Sequence, residues 1–185
     1  MKDRDFWGYI DTTVKEVVPC RYDIAYEFSE GLAADKGRYD LWGYIDKTGK
    51  EIIPCRYKDT YGFSEGFARV KDEYYWGYID KTGYEVIPCK YQEAYNFSYG
   101  LAYIGNCGYV DKTGKEIIYY KYYSTNGYTY GFARVQNTDN LYGFIDKEGR
   151  EVIQYKYVDA WPLSESLIQL EDADNNQSIV KIRRK

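Results

Sequence analysis

The chain has 185 residues, a formal net charge of −4, no histidine and a mean hydropathy of −0.67. That length suits one compact domain or a short repeat array; the acidic balance argues against a nucleic-acid surface, and the lack of any long apolar run argues against a membrane span. Without histidine the chain lacks the commonest general base and the commonest metal ligand, so it is expected to be no enzyme and to carry no metal or cofactor.

Tyrosine is the compositional outlier, with 25 residues beside 7 Phe and 4 Trp. Aromatic residues favour pleated, half-buried surfaces, and tyrosine is over-used at contact surfaces. Met1 is followed by Lys-Asp-Arg-Asp with no apolar segment, so the expected compartment is the cytoplasm; a trimmed, secreted precursor stays open.

The predicted elements recur along the chain. Taking the glycine of Trp-Gly-Tyr-Ile-Asp as anchor, Gly8, Gly43, Gly77, Gly108 and Gly143 are 35, 34, 31 and 35 residues apart. A second anchor stands 23 residues after each, at Gly31, Gly66, Gly100, Gly131 and Ser166, while the connector to the next copy varies. Such a period marks a repeat architecture. The copies run approximately over 5–39, 40–73, 74–105, 106–139 and 140–170, with 171–185 as a C-terminal capping hairpin of one repeat domain.

Each copy opens on a Trp-Gly-Tyr strand. The Asp three residues on (Asp11, Asp46, Asp80, Asp111, Asp146) and the Gly of Gly49, Gly83, Gly114 and Gly149 predict a tight hairpin, the Asp accepting turn N–H groups and the Gly supplying positive φ. Copy one has Val14 at that Gly position, so its turn should be strained or differently shaped. A second strand follows, carrying the constant Glu (Glu16, Glu51, Glu85, Glu116, Glu151), and Pro19, Pro54 and Pro88 are expected to end it. A basic residue and a Tyr come next (Arg21-Tyr22, Arg56-Tyr57, Lys90-Tyr91, Lys121-Tyr122, Lys156-Tyr157). The stretch after that Tyr reads as an ordered loop or a short turn of helix. Phe-Ser-Glu-Gly then leads into a third strand, such as Gly66-Phe67-Ala68-Arg69-Val70.

The fold class expected is therefore all-β: tandem three-stranded antiparallel hairpin repeats stacked as an open, twisted solenoid-like array, with a closed five-bladed propeller-like ring as the alternative. The run Trp-Gly-Tyr-Ile-Asp-Lys-Thr-Gly-Lys-Glu-Ile-Ile-Pro, then Tyr, then Phe-Ser-Glu-Gly-Phe-Ala-Arg-Val resembles the WG β-repeat family of bacterial proteins from about Asp5 to Leu170. Copies four and five depart from it: Cys107 and Tyr142 replace Trp, Tyr119 and Gln154 replace Pro, and Ser166 replaces Gly. The resemblance implies a repeat scaffold and supplies no catalytic residues.

The ten regular carboxylates are read as turn caps (Asp) and as partners of the nearby Arg or Lys (Glu), since the Asp-Lys-Thr-Gly loop is too poor in oxygen ligands for calcium. Cys20, Cys55 and Cys89 lack the paired spacing of a zinc site, and one repeat should separate them by on the order of 14 Å, too far for a disulfide. Two aromatic columns recur, Trp7/Trp42/Trp76/Tyr142 and Tyr26/Tyr61/Tyr95/Trp161; the first is read as core between copies. A binding site should then use positions that vary between copies: Tyr39, Tyr74, Tyr75, Tyr99, Tyr103, Tyr119, Tyr120, Tyr123, Tyr128 and Tyr130. The expected function is a non-catalytic scaffold recognising a protein partner through variable loops and this tyrosine-rich surface; the alternative is a carbohydrate or cell-wall module using aromatic platforms.

Overall fold

The computed structural model describes residues 2–3, 6–105, 108–118 and 124–182. Its hairpins form where the turn chemistry predicts. Asp46 Oδ1 accepts Thr48 N at 2.8 Å, Thr48 Oγ1 at 2.6 Å and Lys50 N at 3.1 Å, and Gly49 takes φ 80°. Asp11, Asp80 and Asp111 repeat this set. Val14 is the exposed exception, held at φ 66° in a region that β-branched residues avoid.

The second strand runs through its proline instead of ending there. Trp42 pairs with Tyr57 and Tyr44 with Ile53, so a bulge at Pro54-Cys55-Arg56 faces the single residue Gly43. The bulge needs no ladder N–H from Pro54 and explains the invariant Gly: a Cβ on Gly43 would stand 2.5 Å from Ile53 O and 2.8 Å from Cys55 N. Gly8 and Gly77 meet the same backbone atoms of their own bulges.

In chain order the strands are β1 (Lys2–Asp3), β2 (Phe6–Ile10) and β3 (Glu16–Tyr22), forming one sheet. β4 (Ile24–Ala25), β5 (Leu32–Lys36), β6 (Trp42–Asp46) and β7 (Glu51–Tyr57) form the next, and β8 (Asp59–Thr60), β9 (Phe67–Lys71), β10 (Trp76–Asp80) and β11 (Glu85–Tyr91) the third. Then come β12 (Leu101–Tyr103), β13 (Tyr109–Asp111) and β14 (Glu116–Ile118); β15 (Ser124–Thr129), β16 (Phe132–Gln136), β17 (Tyr142–Ile145) and β18 (Glu151–Tyr157); and finally β19 (Asp159–Pro162), β20 (Leu167–Glu171) and β21 (Gln177–Lys181). All pairings are antiparallel, and the only helix among the described residues is a 3-10 turn at Arg38–Asp40.

The chain is thus all-β and built of tandem hairpins. The segment read as a loop or helical turn supplies instead the outer strands β4, β8, β15 and β19; the sheets of β4, β8 and β15 thereby have four strands, and that of β19 has three. Phe-Ser-Glu-Gly is a tight two-residue turn: Ser29 and Leu32 exchange backbone bonds at 2.9 and 3.1 Å, with Glu30 at φ 50° and Gly31 at φ 94°. Two successive positive φ angles match the right-handed twist of the flanking strands.

The chain divides into two compact units, Met1–Asn96 and Phe97–Lys185. In the first, the core lies between successive sheets: Val18, Tyr22, Ala33 and Ile45 form one cluster, and Leu32, Trp42, Tyr44, Ile53, Phe63, Val70 and Ile79 the next. Arg21 and Arg56 stitch these copies together, donating to the turn carbonyls of Gly49 (2.7 Å) and Gly83 (3.0 Å) of the following copy while bonding their own Tyr22 and Tyr57 hydroxyls. Those Arg side chains therefore serve the turns, and not the Glu partners expected from sequence. In the second unit Leu101, Tyr109, Tyr128, Ala133, Val135 and Ile145 form one cluster, and Phe132, Phe144, Ala160, Ile168 and Leu170 another.

Candidate binding surface

The tyrosine of Trp-Gly-Tyr is a post, fully buried in copies two and three and half-buried in copy one. Tyr44 and Tyr78 are fully buried, and their hydroxyls donate to the carbonyls of Tyr61 and Tyr95, each at 2.7 Å. Tyr9 does the same to Tyr26 at 2.8 Å. Tyr44 also shares a short hydrogen bond with Thr60 Oγ1. Desolvation pushes the Tyr9 hydroxyl pKa up to about 12 and raises those of Tyr44 and Tyr78 further, so all three stay protonated donors.

Each post fixes the backbone of an aromatic residue whose ring meets solvent. Tyr26, Tyr61, Tyr95 and Trp161 are 48, 43, 51 and 43% exposed. The first column behaves differently: Trp42 is buried, Trp76 and Tyr142 are half-buried, and Trp7 near the chain start is exposed. The two columns touch. Tyr26 stacks on Trp42 with centroids 5.1 Å apart and planes 10° apart, and Tyr61 lies 5.9 Å from Trp76.

Each unit sets an arginine among its own aromatic rings. The Arg69 guanidinium carbon stands 3.5 Å over the Tyr61 ring and 5.4 Å from both Trp76 and Tyr95, and its Nη1 bonds Ala94 O. Arg134 repeats the arrangement in the second unit, 4.5 Å over Tyr142 and 6.0 Å from Trp161, with Nη1 on Ala160 O at 2.9 Å and Asp159 Oδ1 at 3.1 Å. A partly desolvated cation over an aromatic face contributes roughly 0.5–2 kcal/mol and holds the ring in place. Lys36 and Lys71 add looser contacts to Trp42 and Trp76.

The connectors run into this row. Asp72 Oδ1 accepts Tyr74 N (2.8 Å) and Tyr75 N (2.7 Å), shaping a turn that leaves both rings exposed immediately before Trp76. In the preceding connector Tyr39 is 89% exposed at φ 68°, and Lys36 pairs with Asp40 at 3.0 Å. Tyr99 and Tyr130 are exposed beside the turn glycines Gly100 and Gly131, at φ 52° and 53°. Tyr103 is half-buried against the core. Tyr128 is a correction: it belongs to the core, its hydroxyl donating to Gly131 O at 2.6 Å, because in the irregular fourth copy it fills the place that Phe63 holds in copy two. Tyr119, Tyr120 and Tyr123 lie outside the described residues, as does Cys107.

Sequence reasoning did not single out Arg69, Arg134 or Tyr84. Tyr84 stands exposed where other copies have Lys or Arg, and that break in pattern was its only signal. Cys20, Cys55 and Cys89 form no disulfide. Burial, then nearby carboxylates, push the Cys55 and Cys89 thiols up to about 11, which keeps them protonated and poorly nucleophilic. Each unit offers pre-set aromatic faces with an interleaved cation, suited to contact.

The family model described as "WG containing repeat" matches residues 7–34, 42–75, 76–104, 108–141 and 142–171. Among solved structures the chain is similar to the computationally designed Ika8 protein at 10% identity and a TM-score of 0.47, covering 92% of this chain and 63% of that one. It is similar to BamB from Moraxella catarrhalis at 8% identity and a TM-score of 0.40, covering 87% of this chain and 57% of that one. Hsv2 of Kluyveromyces lactis gives 11% identity and a TM-score of 0.48, covering 94% and 67%. The chain thus spans less than two thirds of the first two of these structures. No curated protein matches it.

Proposed function

The chain belongs to the WG containing repeat family, and on that footing we propose that it binds a protein partner without catalysing a reaction. The observation carrying this reading is the row of half-exposed rings in the first unit, Tyr26, Tyr61 and Tyr95, each pinned from below by a tyrosine post, of which Tyr44 and Tyr78 are fully buried. Rings fixed before contact lose little freedom on binding, and aromatic anchors with arginine dominate the energetics of protein interfaces. Tyr74 and Tyr75 extend the surface from the adjoining connector. The protonated thiols and the absence of histidine support the non-catalytic half of the reading.

The regular spacing of the rings also favours a second reading, a glycan-binding module that stacks sugars on the same row. The two separate in one experiment. Affinity capture from the native host with the wild-type chain and a Tyr61→Ala/Tyr95→Ala variant, run beside a glycan array, should show a protein that the variant loses, with the variant still unfolding cooperatively and its circular dichroism unchanged. Each hot-spot ring removed should cost about 2 kcal/mol of binding. Identical capture by both chains sinks the proposal; array signal without protein capture transfers the row to glycans.

A further inference from the structure

Three positions come together in the first unit. A Glu30 carboxylate oxygen accepts Gly66 N at 3.0 Å and pairs with Lys81 Nζ at 3.0 Å, and Lys81 also donates to the Glu30 carbonyl at 3.0 Å. Burial pushes the Glu30 carboxyl up, but Lys81 and the N–H groups of Gly66 and Glu65 outweigh it, so the group sits below its usual range and is ionised. Glu30, Gly66 and Lys81 stand 22, 23 and 4 residues after the anchor glycines of three successive copies, Gly8, Gly43 and Gly77.

The same offsets from Gly77, Gly108 and Gly143 give Tyr99, Gly131 and Lys147. All three line one cavity of about 770 Å³ in the second unit, with Tyr128, Phe132 and Val152 as its apolar wall. The backbone is the same: Tyr99 has φ 52° against 50° for Glu30, and Gly131 has φ 86° against 91° for Gly66. The N–H and the ammonium are therefore kept, while the carboxylate that they hold in the first unit has become a tyrosine ring. Among the described residues none brings a carboxylate to Gly131 N, and Lys147 pairs only loosely with its neighbour Glu148, at 3.7 Å in solvent.

We propose that this cavity binds a carboxylate carried on an apolar body, the carboxylate taking the place of Glu30's between Gly131 N–H and Lys147 Nζ, and the body lying against Tyr99, Phe132 and Val152. Asp146, Glu148 and Glu151 also line the cavity. Asp146 is committed to its turn and to Arg150 Nε at 2.7 Å, and Arg150 Nη2 holds Glu148 at 3.1 Å. The equivalent first-unit positions, Asp80, Thr82, Tyr84 and Glu85, carry one acid and one base fewer. A ligand carboxylate would thus meet the same local charge balance that Glu30 already meets. The site shares no residue with the aromatic row and does not depend on the partner proposed for it.

The test uses the full chain with N-acetyl-phenylalanine, a pentapeptide ending in phenylalanine, and the amide of each, titrated by calorimetry with the Gly131 amide followed by NMR. At least one free acid should bind about tenfold or more tightly than its amide and move the Gly131 resonance, as a charge-assisted contact requires. Preference for the peptide identifies a chain terminus as the source, and preference for the acetylated amino acid a small molecule. Tyr99→Glu should fill the site from within and abolish binding, and Lys147→Met should weaken it about tenfold with the circular dichroism unchanged. Equal binding of acid and amide, no binding of any probe, or wild-type affinity in Lys147→Met overturns the proposal.

Discussion

The two units solve the same packing problem with different degrees of regularity. In the first, Trp-Gly-Tyr, the proline bulge, the arginine on the next copy's turn and the tyrosine post recur almost unchanged. In the second, Phe144 stands where Tyr44 and Tyr78 carry posts, Gln154 replaces the proline, and Tyr99 and Tyr130 occupy the turn position of Glu30 and Glu65. The hairpins and their registers persist all the same. Backbone devices are therefore the more constant: the Asp-capped turn in all five copies, the bulge over glycine in copies one, two, three and five, and the paired positive φ angles in copies one to four, while side-chain devices are exchanged more freely.

That contrast can be broken most severely at the bulge. Gly43→Ala drives a methyl into three backbone atoms and should cost roughly 3 kcal/mol or more, whereas two of the three contacts at Gly143 are atoms of the Tyr155 ring, which can turn aside. Urea melts of the two variants should show the larger loss for Gly43→Ala; equal losses would mean that the bulges are equally rigid. Tyr44→Phe imitates the second unit's Phe144 and should cost roughly 1–2 kcal/mol, because Tyr61 O loses its buried donor and Thr60 Oγ1 a hydrogen-bond partner. If the melt does not move, the posts do not support the row. Smaller again, Val14→Gly should stabilise the first turn by about 1 kcal/mol, as release of a left-handed β-branched residue predicts.

The smallest effect is electrostatic and carries a sign. Hydrogen bonds from Thr48, first its hydroxyl, hold the Asp46 carboxyl below its usual range, so its contribution is present above the unfolded value of about 3.9 and lost as pH falls through the lower folded value. Asp46→Asn keeps an acceptor, as Asn137 does in its own turn, and should show a shallower fall of the thermal midpoint below pH 4. Desolvation raises Asp35, so its contribution runs the other way and is lost as pH rises through the raised value.

Much of this organisation is legible in sequence because turn chemistry is local. Asp46 and Gly49 fix their hairpin within five residues, and Val14 announces its own strain. The outer strands are not legible: Ile24–Ala25 and Asp59–Thr60 are two residues long and carry no period. Nor does strict recurrence say which aromatic column is covered, since packing and display produce the same spacing. Tyr44 needed a partner seventeen residues away, and Arg69 needed Ala94 and Tyr95 of the next copy, before either role could be seen.

The outer strand also puts the sequence copies out of phase with the sheets. β4 and β5 come from copy one, while β6 and β7, in the same sheet, come from copy two. A fragment cut at the repeat borders would hold halves of two sheets, whereas residues 24–57 would hold one sheet complete. Duplicating a whole copy adds a strand pair to each side of a seam, so the gene can lengthen by recombination without any new junction having to be invented.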